Sequence, residues 1–190
     1  VTAPINKYNI QSEEFHFPGH TDYLNNQIDG NALMLMINKD LRVGLLTDHL
    51  PLHEVAQAIT PELIKQKVAT INQSLIQDFN IIKPKIAILG LNPHSGDNGV
   101  IGTEEIDTIT PTVKELLIDG YIVNGPFSAD AFFGSEQYYN YDAIVACYHD
   151  QGLIPFKTLS FGEGVNYTAG LSKIRTSPDH GTAYDIAGKG

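Results

Sequence analysis

The feature that most constrains the fold is an alternation of two periodicities. Short apolar runs of strand length recur between longer stretches whose apolar residues fall at helical spacing. Residues 32–37 and 41–46 are β-rich runs separated by Asn38-Lys39-Asp40, which reads as a hairpin turn. Residues 51–59 and 61–79 each open with proline and carry apolar residues at helical spacing, among them Leu63, Val68, Ile71, Leu75 and Ile76. Residues 85–89 form a short strand ending at Gly90. Residues 103–119 are predicted as a helix with Thr103 as N-cap, acids in its first turn, Gly120 as its stop, and a kink or break at Pro111. Residues 121–124 and 143–148 are further strands, and residues 1–5 also read as strand-like. This order argues for an α/β layer architecture, mixed in character because of the early hairpin. No Pro/Gly-rich linker divides the chain, so we read one domain, or one domain plus an arm from a neighbour.

Composition narrows the functional classes. The 190 residues are 42 % hydrophobic and 18 % charged, ordinary for a globular domain. The longest apolar run, residues 32–37, is far short of a membrane span. The formal charge of −10 disfavours nucleic acid, although local cations can still hold a small anion. The single cysteine, Cys147, rules out an internal disulfide and fits a reducing compartment, so a cytoplasmic location is expected. No secretory signal pattern opens the chain. There is no initiating Met, and Gly188-Lys189-Gly190 falls where a helix is beginning, so a longer parent chain is expected.

Three β-type runs lead into polar clusters, and in α/β sheets ligands bind beyond the carboxyl ends of strands. These clusters are Asn92-Pro93-His94-Ser95-Gly96-Asp97, His149-Asp150-Gln151-Gly152 and Pro178-Asp179-His180-Gly181. His94 and His149 sit at such ends and His20 lies in a turn; three neutral imidazoles with an open position suit a catalytic divalent ion. Their spacing alone does not separate a ligand from a capping loop histidine. Lys157 and Arg175 could grip phosphate or carboxylate, or serve as surface charges. Asp130 and Asp150 sit in loop-like sequence and are candidates for acid/base work. Glu104, Glu105 and Asp107 read as partners of a helix N-terminus. The glycines at 96, 99 and 102 could frame an anion site or simply make turns; neither a Rossmann fingerprint nor a P-loop is present. Cys147 reads as buried, and Tyr138, Tyr139 and Tyr141 as packing or interface.

Five strings taken together carry a resemblance. Phe17-Pro18-Gly19-His20-Thr21, Gly90-Leu91-Asn92-Pro93-His94-Ser95-Gly96, Gly102-Thr103-Glu104-Glu105-Ile106-Asp107, Tyr148-His149-Asp150-Gln151-Gly152 and Ile174-Arg175-Thr176-Ser177-Pro178-Asp179-His180-Gly181-Thr182-Ala183 resemble, in order, the 4-hydroxythreonine-4-phosphate dehydrogenase family of vitamin B6 synthesis. The resemblance spans the whole chain. It implies an α/β, isocitrate/isopropylmalate dehydrogenase-like layered sheet with helices on both faces. It also implies that residues 1–190 are the metal-, substrate- and nucleotide-binding portion of a longer two-domain protein.

By resemblance, His20, His94 and His149 are ligands of a divalent metal (zinc, magnesium or cobalt), drawn from both subunits of a homodimer. Lys157, Asn166 and Arg175 bind substrate, and Asp130 and Asp150 match acidic positions near the site. The segment with His180, Gly181, Thr182, Ala183 and Asp185 resembles the loop that holds NAD or NADP. The implied reaction is oxidation of 4-phosphohydroxy-L-threonine, followed by decarboxylation. Asp22, Ser95, Asp97-Asn98 and Glu163 depart from the family pattern without touching a matched ligand. Phosphorylated threonate or erythronate therefore stays open as substrate. A non-catalytic metal- and anion-binding relative and a metal-dependent hydrolase or decarboxylase are the competing classes.

Overall fold

A computed structural model describes the chain except Lys7, Glu13, Glu14, Pro18, Phe161, Ile186, Ala187, Lys189 and Gly190, and except the side chain of Asp22. Pro18 of the first string, the Asp22 side chain, part of the 179–188 tail and the start of the helix expected at the chain end therefore lie outside the described residues.

The elements are α1 (His20–Gln27), β1 (Gly30–Ile37), β2 (Arg42–Leu45), α2 (Leu52–Ala58), α3 (Pro61–Gln77), β3 (Lys85–Leu89), α4 (Thr110–Ile118), β4 (Ile122–Phe127), α5 (Ala129–Gly134), β5 (Ala143–Ala146), α6 (His149–Ser160), β6 (Val165–Leu171) and β7 (Arg175–Pro178). The strands form one seven-stranded sheet in the order β4-β3-β5-β2-β1-β6-β7. β4, β3, β5 and β2 run parallel. β1, β6 and β7 continue the sheet antiparallel, beginning with the β1–β2 hairpin expected at Asn38-Lys39-Asp40.

Alternation along β1 places Leu33 and Leu35 on one face and Met34 and Met36 on the other. The first face packs Ile64, Val68, Ile71 and Leu75 of α3 and Val113 and Leu116 of α4. The second packs Phe132 of α5 and Leu153 and Phe156 of α6. Both faces are thus covered by helices, which is why the central strands are apolar throughout. No helix among the described residues is long and apolar enough to cross a membrane.

Several expectations need correction. Residues 1–5 form no strand; Thr2 donates its N–H to Thr176 O at 2.9 Å and so lies against β7. The helix expected over 103–119 divides. Thr110 N–H reaches back five residues to Glu105 O, and a regular helix begins only there. Pro111 lacks the N–H of the ordinary four-residue ladder, and the widened turn before it accommodates the loss. Thr103 does stand before the first helical residue, its C=O accepting the Asp107 N–H at 2.8 Å, and Glu104 already has helical dihedrals. Residues 149–152 are not loop but the first turn of α6, and β6 was not anticipated.

Candidate active site

All four parallel strands discharge their chains at one edge of the sheet, and each delivers polar residues there. β2 leads to Asp48 and His49, β3 to the loop with His94, β4 to Asp130 in the first turn of α5, and β5 to His149 and Asp150 in the first turn of α6. Carboxylates in a first helical turn face the positive end of the helix dipole.

The His94 loop has an unusual backbone. His94, Ser95, Gly96, Asp97 and Asn98 all have positive φ, between 43° and 80°, making a left-handed turn. For L residues that conformation costs ~1 kcal/mol or more each, so the surroundings must hold it. Glu105, only 2 % exposed, provides the anchor. Its carboxylate accepts the Asn92 backbone N–H at 2.7 Å and the Asn92 amide at 2.9 Å. Asn92 also donates to Glu104 at 2.7 Å. The Glu104 backbone N–H first, and then the Asn92 amide, hold the Glu104 carboxyl below the usual range. A Cβ on Gly96 would stand 2.7 Å from Glu105 Oε2, so glycine is required for this approach. Glu105 was expected to serve a helix N-terminus; its burial and partners make it a loop clamp instead.

His94 is exposed and shares a pocket of about 340 Å³ with Asp130, Tyr148 and Gln151. The Ser128 hydroxyl, donating at 2.6 Å, holds the Asp130 carboxyl below its usual range; the Ala131 N–H and the nearby His94 act in the same direction.

α6 sits tight against the sheet because Gly152 has no side chain. A Cβ there would meet Leu45 at 2.8 Å, Val43 at 2.9 Å and Ala146 at 3.0 Å. This contact fixes His149, three residues earlier. His149 Nδ1 lies 2.7 Å from Asp150 Oδ1, so an Nδ1–H donating to the carboxylate leaves Nε2 available as a ligand. The His49 ring packs 5.7 Å from the His149 ring.

A second pocket, about 320 Å³, joins the two halves of the sheet. His20, His49, His149, Lys157, Asn166 and Arg175 line it, with Asp48, Asp179 and Gly181. Arg175 is 9 % exposed, and no carboxylate among the described residues lies within 4.0 Å of it. Its guanidinium donates to Thr2 Oγ1 at 2.9 Å, Thr168 Oγ1 at 3.4 Å and His20 Nδ1 at 3.3 Å. Burial lowers its pKa. Burial first, and Arg175 second, lower the pKa of His20 and favour its neutral form. Asn166 Oδ1 is buried without a hydrogen-bond partner. A buried guanidinium without a counter-charge, and a buried amide oxygen without a donor, among the described residues are both groups that a polar ligand bearing an anionic group would satisfy.

The structure therefore gathers His20, His149, Lys157, Asn166, Arg175 and Gly181 around one pocket and puts His94 and Asp130 in a second. Asp150 faces a third, with His49 and His149. Among the described residues of a single chain, no three His, Cys, Asp or Glu converge as a metal site. His180 and Asp185 are exposed, His180 donating Nδ1–H to Gly181 O at 2.8 Å, and Ala183 has φ 46°. Cys147 is fully buried, where burial raises its pKa, and its S–H donates to Leu89 O at 3.3 Å. Tyr141 packs with Phe127 and Phe132, Tyr138 with Phe133, and Tyr139 with Tyr138. Sequence reasoning missed Asp48 and His49, although residues 41–46 are an apolar run ending in polar residues like the others. It also missed Glu105 and Gln151 as side chains that hold the site.

A mixed sheet covered on both faces, with a polar crevice at the shared strand ends, defines the isocitrate/isopropylmalate dehydrogenase-like architecture that the sequence led us to expect. The chain belongs to the family described as pyridoxal phosphate biosynthetic protein PdxA, whose family model matches residues 1–190. It is 56 % identical over 192 residues to a 4-hydroxythreonine-4-phosphate dehydrogenase of Bacteroides thetaiotaomicron, covering 100 % of this chain and 53 % of that protein. A relative of the same name from a Sulfurihydrogenibium species is 51 % identical, with 100 % and 58 % covered. The crystal structure of 4-hydroxythreonine-4-phosphate dehydrogenase from Klebsiella pneumoniae superposes with a TM-score of 0.84 at 38 % identity, over 97 % of this chain and 56 % of that one. The chain thus spans about half the length of the curated relatives it matches.

Proposed function

We propose that this chain is the metal-, substrate- and nucleotide-binding portion of a longer two-domain, NAD- or NADP-dependent dehydrogenase in vitamin B6 biosynthesis. The reaction is oxidation of 4-phosphohydroxy-L-threonine to 2-amino-3-oxo-4-(phosphooxy)butanoate, which loses carbon dioxide to give 3-amino-2-oxopropyl phosphate. One observation carries the reading: the buried Arg175, with no carboxylate among the described residues within 4.0 Å, shares a pocket with Lys157, the Asn166 oxygen that no described residue partners, and three histidines. The substrate is anionic at both ends, and Lys157, Asn166 and Arg175 are the groups that would hold and orient it.

The donor chemistry fits a divalent ion such as zinc, magnesium or cobalt. His149 has a carboxylate on its far nitrogen, which leaves Nε2 free to ligate, whereas neutral His20 would ligate only by giving up the contact in which its Nδ1 accepts from Arg175. Among the described residues one chain closes no set of three, and in this reading His20, His94 and His149 act as ligands across a homodimer. A bound divalent ion supplies Lewis-acid polarisation of the substrate hydroxyl. In this reading Asp150 orients His149, either Asp150 or a water takes the hydroxyl proton, and Asp130 sets negative charge beside His94. The segment with His180, Gly181, Thr182, Ala183 and Asp185 would hold the nicotinamide cofactor, which would supply the hydride acceptor for the carbon bearing that hydroxyl. Among the described residues nothing lies within 4 Å of a Cβ built on Gly181, which leaves room for a nucleotide at the backbone there. A cytoplasmic location fits the lone buried Cys147.

The test is nicotinamide reduction by the full-length protein with 4-phosphohydroxythreonine, phosphorylated threonate or phosphorylated erythronate, with and without chelator. Turnover is expected with the first and its loss on chelation. Preference for either sugar acid reassigns the substrate, and no turnover with any of them removes the dehydrogenase reading.

A further inference from the structure

Gln151 stands at the joint between the two histidine-bearing strand ends. Its Oε1 accepts the Cys147 N–H at 2.7 Å, and its Nε2 donates to Gly90 O at 2.6 Å. Cys147 closes β5 two residues before His149, and Gly90 closes β3 four residues before His94. The β3–β5 ladder runs Ile86↔Ala143, Ala87↔Ile144 and Ile88↔Val145. Continued, it would bring Gly90 against Cys147. The Gln151 amide takes the place of that rung, so the strand ends part by the width of a side-chain amide rather than meeting directly.

The chemistry of the bridge specifies the residue. Gly90 presents an acceptor and Cys147 a donor, and a primary amide answers both at once. A carboxylate would satisfy Cys147 and repel Gly90 O; an apolar side chain would satisfy neither. The remaining groups are already engaged. Gly90 N–H donates to Phe127 O at 2.7 Å, and Cys147 O accepts the Thr47 hydroxyl at 2.7 Å. All four parallel strand ends are thereby tied through one network. Glu105 fixes the far side of the same loop through Asn92. Gln151 also lines the pocket that holds His94.

We propose that Gln151 is a positioning residue: its amide sets the separation between the His94 loop and the start of the His149 helix, and through it the affinity of the site for its divalent ion. This rests on the metal reading given above. The experiment uses the full-length protein with Co²⁺ as probe, titrated through its visible absorption. Wild type is compared with Gln151→Glu, Gln151→Met and His149→Ala, alongside thermal unfolding and steady-state kinetics. Both Gln151 variants should bind Co²⁺ roughly 10–100-fold more weakly, the usual cost of losing a group that orients a ligand. Their kcat should recover as Co²⁺ is raised, while KM for the phosphorylated substrate moves little. His149→Ala should not recover. Gln151→Glu keeps the Cys147 bond, so it reports even if Gln151→Met folds poorly. Wild-type Co²⁺ affinity per folded molecule in the Gln151 variants, with only a lowered melting temperature, overturns the proposal. Undiminished Co²⁺ binding by His149→Ala overturns the metal reading itself, and the Gln151 role with it.

Discussion

The two halves of the sheet build their parts of the crevice differently. In the parallel half, β4-β3-β5-β2, the functional residues lie just past the strands, in a left-handed loop and in the first turns of α5 and α6. In the antiparallel half, Asn166 and Arg175 project from within β6 and β7 themselves. A residue inside a ladder inherits the rigidity of the sheet. A residue beyond a strand end needs separate anchors, and Glu105, Gln151 and Gly152 are those anchors. The division suits the proposed chemistry, with the anion held by rigid strands and the ion and proton handled by residues whose placement is set by side-chain contacts.

The strongest way to break this comparison is a pair of opposite lesions in the full-length protein. His149→Ala should lower kcat by more than ~100-fold, beyond the loss typical of a residue that only supports a ligand. Arg175→Met should instead raise KM for the phosphorylated substrate by roughly 10–100-fold, the worth of a charge-assisted hydrogen bond, with metal affinity retained. If both variants move the same parameter, the halves are not functionally distinct.

Glycine substitutions sharpen the packing side of the contrast. A Cβ on Gly170, at φ 76°, would lie 2.2 Å from Asn31 O, a backbone atom that cannot give way. Gly170→Ala should therefore cost roughly 3 kcal/mol in denaturant unfolding. Gly152→Ala meets side chains that can shift and should cost ~1–3 kcal/mol while also perturbing His149. A loss from Gly152→Ala as large as that from Gly170→Ala would show the helix joint to be as unyielding as the strand crossing.

Alkaline pH gives the smallest effect. Burial first, and Asp78 second, push Tyr167 in β6 up to about 12. A raised folded pKa stabilises the protein fully below the ordinary tyrosine value of ~10, and that contribution is lost as pH rises toward the folded value. Tyr167→Phe should flatten the decline in stability between about pH 10 and 12. An unchanged slope there would mean that Tyr167 is not the titrating group.

Much of the fold was legible because periodicity is local. The strand over Lys85–Leu89 and the start of the Pro61–Gln77 helix fall where the apolar pattern and the proline put them. α6 was not legible, since Gly152 and Pro155 are poor helix formers and the helix is sustained by packing on Val43 and Leu45. The strings that marked His20, His94, His149 and Arg175 also marked the family, and Lys157 and Asn166 followed from their place within it. They did not reveal that one chain separates His94 from the Arg175 pocket.

By itself the sequence determined the layered α/β class, the family and the residue types gathered at the strand ends, because each is written in short contiguous strings. Tertiary structure alone decided the strand order, the clamp of Glu105 on Asn92 and the bridge of Gln151 between Gly90 and Cys147. Those depend on contacts between residues as far apart in the chain as Gly30 and Leu171, whose partners no local pattern names.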